Sequence, residues 1–365
     1  MSKRAPLDAP FLLTVCLLLA FGLLIFTSAA LGLLARDGAT FTSVATSQLL
    51  LGFLLGGVAM VVLSRIDYRT WRPYTPYFFV FSIGLTLLTF TPLGLTLKGA
   101  ARWVALGPIT FQPEEVLKFA AVMLLAAVYA SRMREVPTMR GGLLPLILIG
   151  GSGTVLLLLQ PNTDGAMMLA AACAAVLFAA GGKLRHLALL ALLGVVAVVA
   201  AAFAYPHVMS RFATFFDQAA DPQGAGWQIH QSLIAVGSGQ VFGKGFGQSI
   251  EKFSYLPEPI GDSIFAVAAE EFGFVGSGIL VALYATFALL GLRVAARAPD
   301  PFGGLVVVGL VTLICVQSFV NIASVLGLIP LSGLPLIFVS HGGTALAVSL
   351  AEVGVILSVS RRMKS

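Results

Sequence analysis

The chain has 365 residues, of which 58% are apolar and only 10% charged, and its mean hydropathy is +0.97. A soluble globular protein carries about a quarter charged residues, so a soluble enzyme, a secreted disulfide scaffold and a disordered chain are all excluded. The net charge of +6 is then a matter of how loops are distributed about a membrane and does not point to nucleic acid.

A membrane-crossing helix needs about 20 apolar residues. Ten runs meet that need in chain order: 10–34, 44–64, 77–96, 113–131, 142–159, 165–182, 187–206, 263–292, 302–326 and 341–360. The first is too long for the apolar stretch of a cleavable signal and reads as a span. Kinks are expected near Pro92 and at Gly150-Gly151. Cys16, Cys173 and Cys315 lie inside these runs as small apolar fillers, and the four histidines show no ligand spacing. The expected fold class is an all-α polytopic membrane protein of about ten transmembrane helices with both termini cytoplasmic. It forms a single integral membrane domain over residues 1–365, with one long outer loop, 207–262, between spans seven and eight.

Basic residues orient this layout. With the N-terminus inside, fifteen of the 22 Lys and Arg fall in inner loops and six in outer ones, while Lys118 lies within a span. Every unusual loop then faces outward: 97–112, 160–164, 207–262 and 327–340. The chemistry is expected on that face.

Charges inside the apolar layer are costly and therefore informative. The fourth span opens Gln112-Pro113-Glu114-Glu115-Val116-Leu117-Lys118, which puts carboxylates three and four residues from an ammonium on one helical face. Proline and acids in a first turn are also ordinary helix-start signals. Glu270 and Glu271, in the eighth span, need internal partners, with Lys118 or polar groups of the tenth span as candidates. Asp262 immediately precedes that span, where it reads as an N-cap and equally as a boundary carboxylate able to act as a general base. Gly237-Ser238-Gly239 and Gly243-Lys244-Gly245-Phe246-Gly247 do not have the spacing of a nucleotide loop. They are expected to shape turns that fold the loop back over the outer mouth.

Taken in order, these pieces resemble the SEDS family of polytopic peptidoglycan glycosyltransferases, the FtsW/RodA-like proteins. The matching segments are Gly99-Ala100-Ala101-Arg102-Trp103, Gln112 to Lys118, Trp227-Gln228-Ile229-His230-Gln231-Ser232, Gly237 to Gly245, Leu256-Pro257-Glu258 with Asp262 to Glu271, and Asn321 with Pro330 to Pro335. The unbroken segment from Gly243 to Ser249 is closer to the FtsW branch. Three places depart from the family's pattern: Asn162 stands where an aspartate is usual, with Asp164 two residues on; Glu114 replaces a common serine; and Ile337, His341 and Thr344 alter the final motif.

The resemblance implies polymerisation of lipid II, a lipid-linked disaccharide, into glycan strands on the outer face of the bacterial cytoplasmic membrane, for cell division or cell shape. It implies Asp262 as the general base of an inverting transfer. It implies substrate contacts at Arg102, Trp103, Glu115, Lys118, Lys244, Lys252 and Ser340, the four cations among them being candidates for the pyrophosphate. A divalent cation, Mg2+ or Mn2+, could share that charge, and a class B penicillin-binding protein is the implied partner. The competing reading is a flippase or transporter of lipid-linked precursors, suggested by the intramembrane charges Glu270, Glu271, Glu352 and Lys118.

Overall fold

The computed structural model describes residues 8–36, 38–97, 100–106, 109–217 and 224–363. Helix α1 (Ala9–Arg36) starts at Asp8, whose Oδ1 accepts the backbone N–H of Phe11 at 3.0 Å. α2 (Gly38–Thr46), a π-helical stretch (Ser47–Leu55) and α3 (Gly56–Arg65) follow as one apolar rod. α4 (Tyr68–Trp71) and α5 (Thr75–Leu87) make the third segment, Tyr68–Phe90, well N-terminal of the expected 77–96. Two physical features move it. Pro73 and Pro76 occupy first-turn positions, where a missing N–H costs nothing, and the chain leaves the helix before Pro92, which ends it where a kink was expected.

A three-stranded antiparallel meander comes next, an addition to the all-α expectation. β1 (Gly94–Leu97), β2 (Ala100–Leu106) and β3 (Ile109–Phe111) pair in chain order, with Trp103 opposite Leu95. α6 (Pro113–Ser131) follows. The next rod, Met139–Leu159, has a π-helical stretch (Met139–Leu143) before α7 (Leu144–Leu146) and another (Ile147–Gly151) between α7 and α8 (Ser152–Leu159), and Gly150-Gly151 lie in the second. α9 (Thr163–Ala179) is capped by Asn162, whose Oδ1 accepts the N–H of Gly165. α10 (Leu184–Ala204) lies almost wholly on the outside of the bundle, as a lipid-facing span does.

The long loop is built rather than open: it carries α11 (Pro206–Phe216), α12 (Ala225–Ser238) and α13 (Glu251–Ser254). Then come α14 (Ile264–Ala296), α15 (Pro301–Val325) and α16 (Gly343–Ser360). α15 and α16 are the most buried spans, and α15 packs against α6, α9, α14 and α16. Among lipid tails, helices associate through close packing rather than hydrophobic transfer. Gly309 shows the consequence, since any Cβ there would run into Val122 of α6 and Val176 of α9.

Among the described residues eight helical segments are long and apolar enough to cross a membrane. α6, with Glu114, Glu115 and Lys118 at its start, and α9, of 17 residues, correspond to the two remaining predicted runs. The chain is a multi-pass membrane protein.

Candidate active site

The long helix α14 is broken. Gly273 has φ 64° and ψ −164° inside α14, a conformation open essentially to glycine alone. Breaking a helix at membrane depth frees backbone groups that lipid cannot satisfy, and here residues 240–245 satisfy them. Phe274 N–H and Val275 N–H donate to the carbonyls of Gln240 and Val241, while Lys244 N–H and Gly245 N–H donate to the carbonyls of Glu270 and Glu271. A Cβ on Gly273 would lie 2.6 Å from the Val241 oxygen.

The side chains complete this clamp. Lys244 Nζ is 2.6 Å from Glu270 Oε1, and Lys252 Nζ is 2.6 Å from Glu271 Oε1. Lys252 also donates to Ser28 Oγ of α1, which in turn donates to Glu271. Ser249 Oγ donates to Glu270 Oε2. Glu270 and Glu271 therefore find their partners in the 207–262 loop and α1, not in Lys118 or α16 as expected. Lys252 is fully buried within the clamp, and Lys244 is about one-third exposed. Both are placed by the structure on the two glutamates.

Asp262 sits at the rim, half-buried, one residue too early to cap α14. Ser263 occupies the N-cap position, and among the described residues no side-chain cap bond is made there, so the cap expectation is corrected. The preceding chain is held instead by three successive carbonyls: Ile260 O accepts His341 N–H at 2.7 Å, Gly261 O accepts Ser340 Oγ at 2.7 Å, and Asp262 O accepts Asn321 Nδ2 at 2.7 Å. Ser340 Oγ accepts in turn from Leu336 N–H, so its role here is to tie the 327–342 loop to the Asp262 turn. Burial lowers the pKa of the His341 imidazole below its usual range, so the ring beside this turn is neutral near pH 7. The Asp262 carboxylate Oδ1 accepts from Gln228 Nε2 of α12 at 3.1 Å.

Glu115 and Lys118 do come together, at 2.9 Å and almost entirely buried. Lys118 also donates to Gln317 Oε1 at 3.2 Å, and Gln317 Nε2 reaches the Pro335 carbonyl. Gln317 and Asn321 are four apart on one face of α15, and Asn321 Nδ2 donates both to Leu334 O and to Asp262 O. The polar groups of the Glu115–Lys118 pair and of the Asp262 turn thus meet at the adjacent carbonyls of Leu334 and Pro335, which accept from Asn321 and Gln317. Glu352 and Ser349 of α16 line a small hollow with Glu115, Lys118 and Gln317, with room for about one water molecule. Glu114 turns the other way, accepting from Gln112 Nε2 at 2.8 Å.

Arg102 Nη2 donates to the Pro161 carbonyl at 3.0 Å, and its Nε makes no hydrogen bond among the described residues. Next to it, Asp164 pairs with Arg211 of α11 at 2.8 Å and accepts the Gly333 N–H. The altered motif is thereby explained: Asn162 caps α9, while Asp164 joins α9, α11 and the 327–342 loop. Trp103 lies part-buried on β2. Among the described residues no three His, Cys, Asp or Glu side chains gather as a metal site.

Gln317 joins the site without any expectation from the sequence, whereas Glu352 is among the expected intramembrane charges. The available signal was an amide or acid in the middle of an otherwise apolar span.

A bundle of long apolar helices, with polar groups in the N-terminal parts of α6, α9 and α14 and the C-terminal part of α15, defines a polytopic membrane protein. The chain belongs to the FtsW/RodA/SpoVE family, whose model, described as cell cycle protein, matches residues 9–365. Stage V sporulation protein E of Bacillus subtilis is 34% identical over 362 residues, covering 99% of this chain and 98% of that one. A probable peptidoglycan glycosyltransferase FtsW of Geobacter sp. is 36% identical over 98% of this chain and 97% of its own. Among solved structures, a chain of a peptidoglycan synthase complex studied for coordination of polymerization and crosslinking superposes with a TM-score of 0.77 at 27% identity, covering 97% and 98%. Thermus thermophilus rod shape determining protein RodA gives 0.71 at 25% identity, covering 98% of each chain.

Proposed function

We propose that this protein is a peptidoglycan glycosyltransferase that polymerises lipid II on the outer face of the bacterial cytoplasmic membrane. In this reading the chain crosses the membrane ten times with both ends inside. The observation that carries the chemistry is Asp262: a half-buried carboxylate in a turn held by three successive carbonyl contacts, with one carboxylate oxygen held by an amide. The C4 hydroxyl of the incoming sugar attacks the anomeric carbon of the lipid-linked donor. Asp262 takes the hydroxyl proton, the bond from carbon to the pyrophosphate oxygen breaks, and an α-linked donor becomes a β-linked product.

The pyrophosphate leaving group needs positive charge. Arg102, part-buried and with an N–H that makes no hydrogen bond among the described residues, fits that task better than Lys252, whose ammonium is committed to Glu271 and Ser28. Lys244 and Lys252 hold the outer loop on the broken span. Lys118 and Glu115 act below the mouth, supporting the turn through Gln317 and Asn321. A class B penicillin-binding protein is the partner the family resemblance implies, and a relative solved within a peptidoglycan synthase complex that couples polymerization with crosslinking supports a crosslinking partner.

A transporter reading has lost two of its four intramembrane charges, because Glu270 and Glu271 are used in the clamp. Purified protein reconstituted with lipid II separates the two. Glycan polymer is the expected product; exchange of lipid II between leaflets without polymer would overturn the enzyme reading.

A further inference from the structure

Gln228 lies on α12, in the outer loop, and its side-chain amide is aimed at the start of α14. Its Nε2 is 3.1 Å from Asp262 Oδ1 and 2.9 Å from Ser263 Oγ, so one NH2 group donates to two consecutive residues. The helix that carries it is itself fixed. Ser232 Oγ donates to the Gln228 carbonyl, and the neighbouring Trp227 Nε1 donates to Tyr255 O at 2.9 Å. α12 also packs along α14 and touches α15.

We propose that Gln228 is a positioning residue for Asp262: it fixes the plane of the carboxylate and stabilises its charged form, and α12 is the element through which the outer loop sets the base. The proposal rests on the reading of Asp262 as general base. A carboxylate on a short side chain turns about its last bond at little cost. The Gln228 amide restrains that rotation and stabilises the ionised state, the state that can accept a proton. A glutamine rather than a lysine suits the position, because a cation would hold the carboxylate ionised too strongly for it to take a proton during attack.

The other titratable groups near this turn are His230 on α12, Glu251 on α13, and Glu258 and His341 in the flanking loops; α15 presents the neutral Asn321. Lys244 and Lys252, in the same loop, are paired with Glu270 and Glu271. All of these stay in place when Gln228 alone is changed, so a difference between variants reads the Gln228 contact.

The test uses the full-length protein in proteoliposomes with lipid II, measuring kcat, KM, the pH–rate profile and the melting temperature. Gln228→Ala is expected to lower kcat about tenfold with little change in KM. Losing a donor to the charged form favours the protonated one, so the acid limb of the profile should move to higher pH by about 0.5–1 unit. The isosteric Gln228→Glu keeps the shape and places a like charge beside Asp262; it should move the limb further the same way. Asp262→Asn, run alongside, reports on the base itself. If Asp262→Asn is inactive and neither Gln228 variant moves the acid limb, the positioning role is overturned while the base stands. If Asp262→Asn is fully active, the base reading fails first. Should Gln228→Ala not fold, Gln228→Glu decides alone, and an unmoved limb or an unchanged kcat overturns the proposal.

Discussion

Lys118 carries its ammonium one turn into the fourth span, where an unpaired charge is costly, and it meets Glu115 at 2.9 Å and Gln317 at 3.2 Å. Removing one member of a buried pair strands the other, so Lys118→Met should cost about 3–5 kcal/mol. A lowered melting temperature in detergent checks this, and adding Glu115→Gln to the same chain should recover part of the loss. Arg102→Ala should leave the melting curve nearly unchanged and reduce polymerisation roughly tenfold or more through weaker leaving-group stabilisation; turnover with lipid II at saturating substrate reads it directly. At this scale the sequence was legible where partners are local. Glu115 and Lys118 sit three apart on a helix, and their pairing follows from spacing. Lys252 and Glu271 are 19 residues apart across a turn-rich segment, and the third member, Ser28, is 224 residues from Lys252. No spacing rule reaches that far. Asp262 illustrates a finer limit: composition places a helix start to within a residue or two, and one residue separates a cap from an uncapped rim carboxylate.

The broken α14 and the glycine-rich loop are one structure, and neither half explains itself alone. A run of apolar residues from 263 to 292 gives no sign of interruption, because glycine is common in membrane helices and usually serves close packing. The break becomes legible only with its complement, residues 240–245, whose carbonyls and N–H groups take up the freed bonds. Gly273→Ala tests this coupling. The backbone conformation alone should cost about 1–3 kcal/mol, and the added methyl would collide with Val241 and Phe242. The expected outcome is a lower melting temperature together with new protease cleavage within 240–252; a chain equally stable and equally resistant would separate the loop from the break. The β meander before α6 was hidden for another reason. Its strands are three to seven residues long, and an alternation that short cannot be told from loop.

Across the whole molecule, hydropathy was the strongest guide, since the length of a span is set by the membrane itself. The ten runs correspond to ten helical segments, eight of them meeting the length and apolarity of a span among the described residues. The proposed topology rests on the fifteen-to-six distribution of Lys and Arg. Reporters fused after residues 69, 134, 184 and 297 should report cytoplasm, and one placed within 215–225 the outside; an outside signal at 184 would reverse the assignment of the mouth. In the proposed reading the whole fold presents one carboxylate at the outer rim, and Asp262→Asn addresses that most directly. Since Asp262 does not cap α14, and asparagine keeps its size and can still meet Gln228, the variant should insert and melt like wild type. Without a carboxylate to take the proton, polymer synthesis from lipid II should fall by about 10²-fold or more. A stable protein that makes no polymer is the expected result; a stable Asp262→Asn protein polymerising at the wild-type rate would contradict the role of Asp262 as the base.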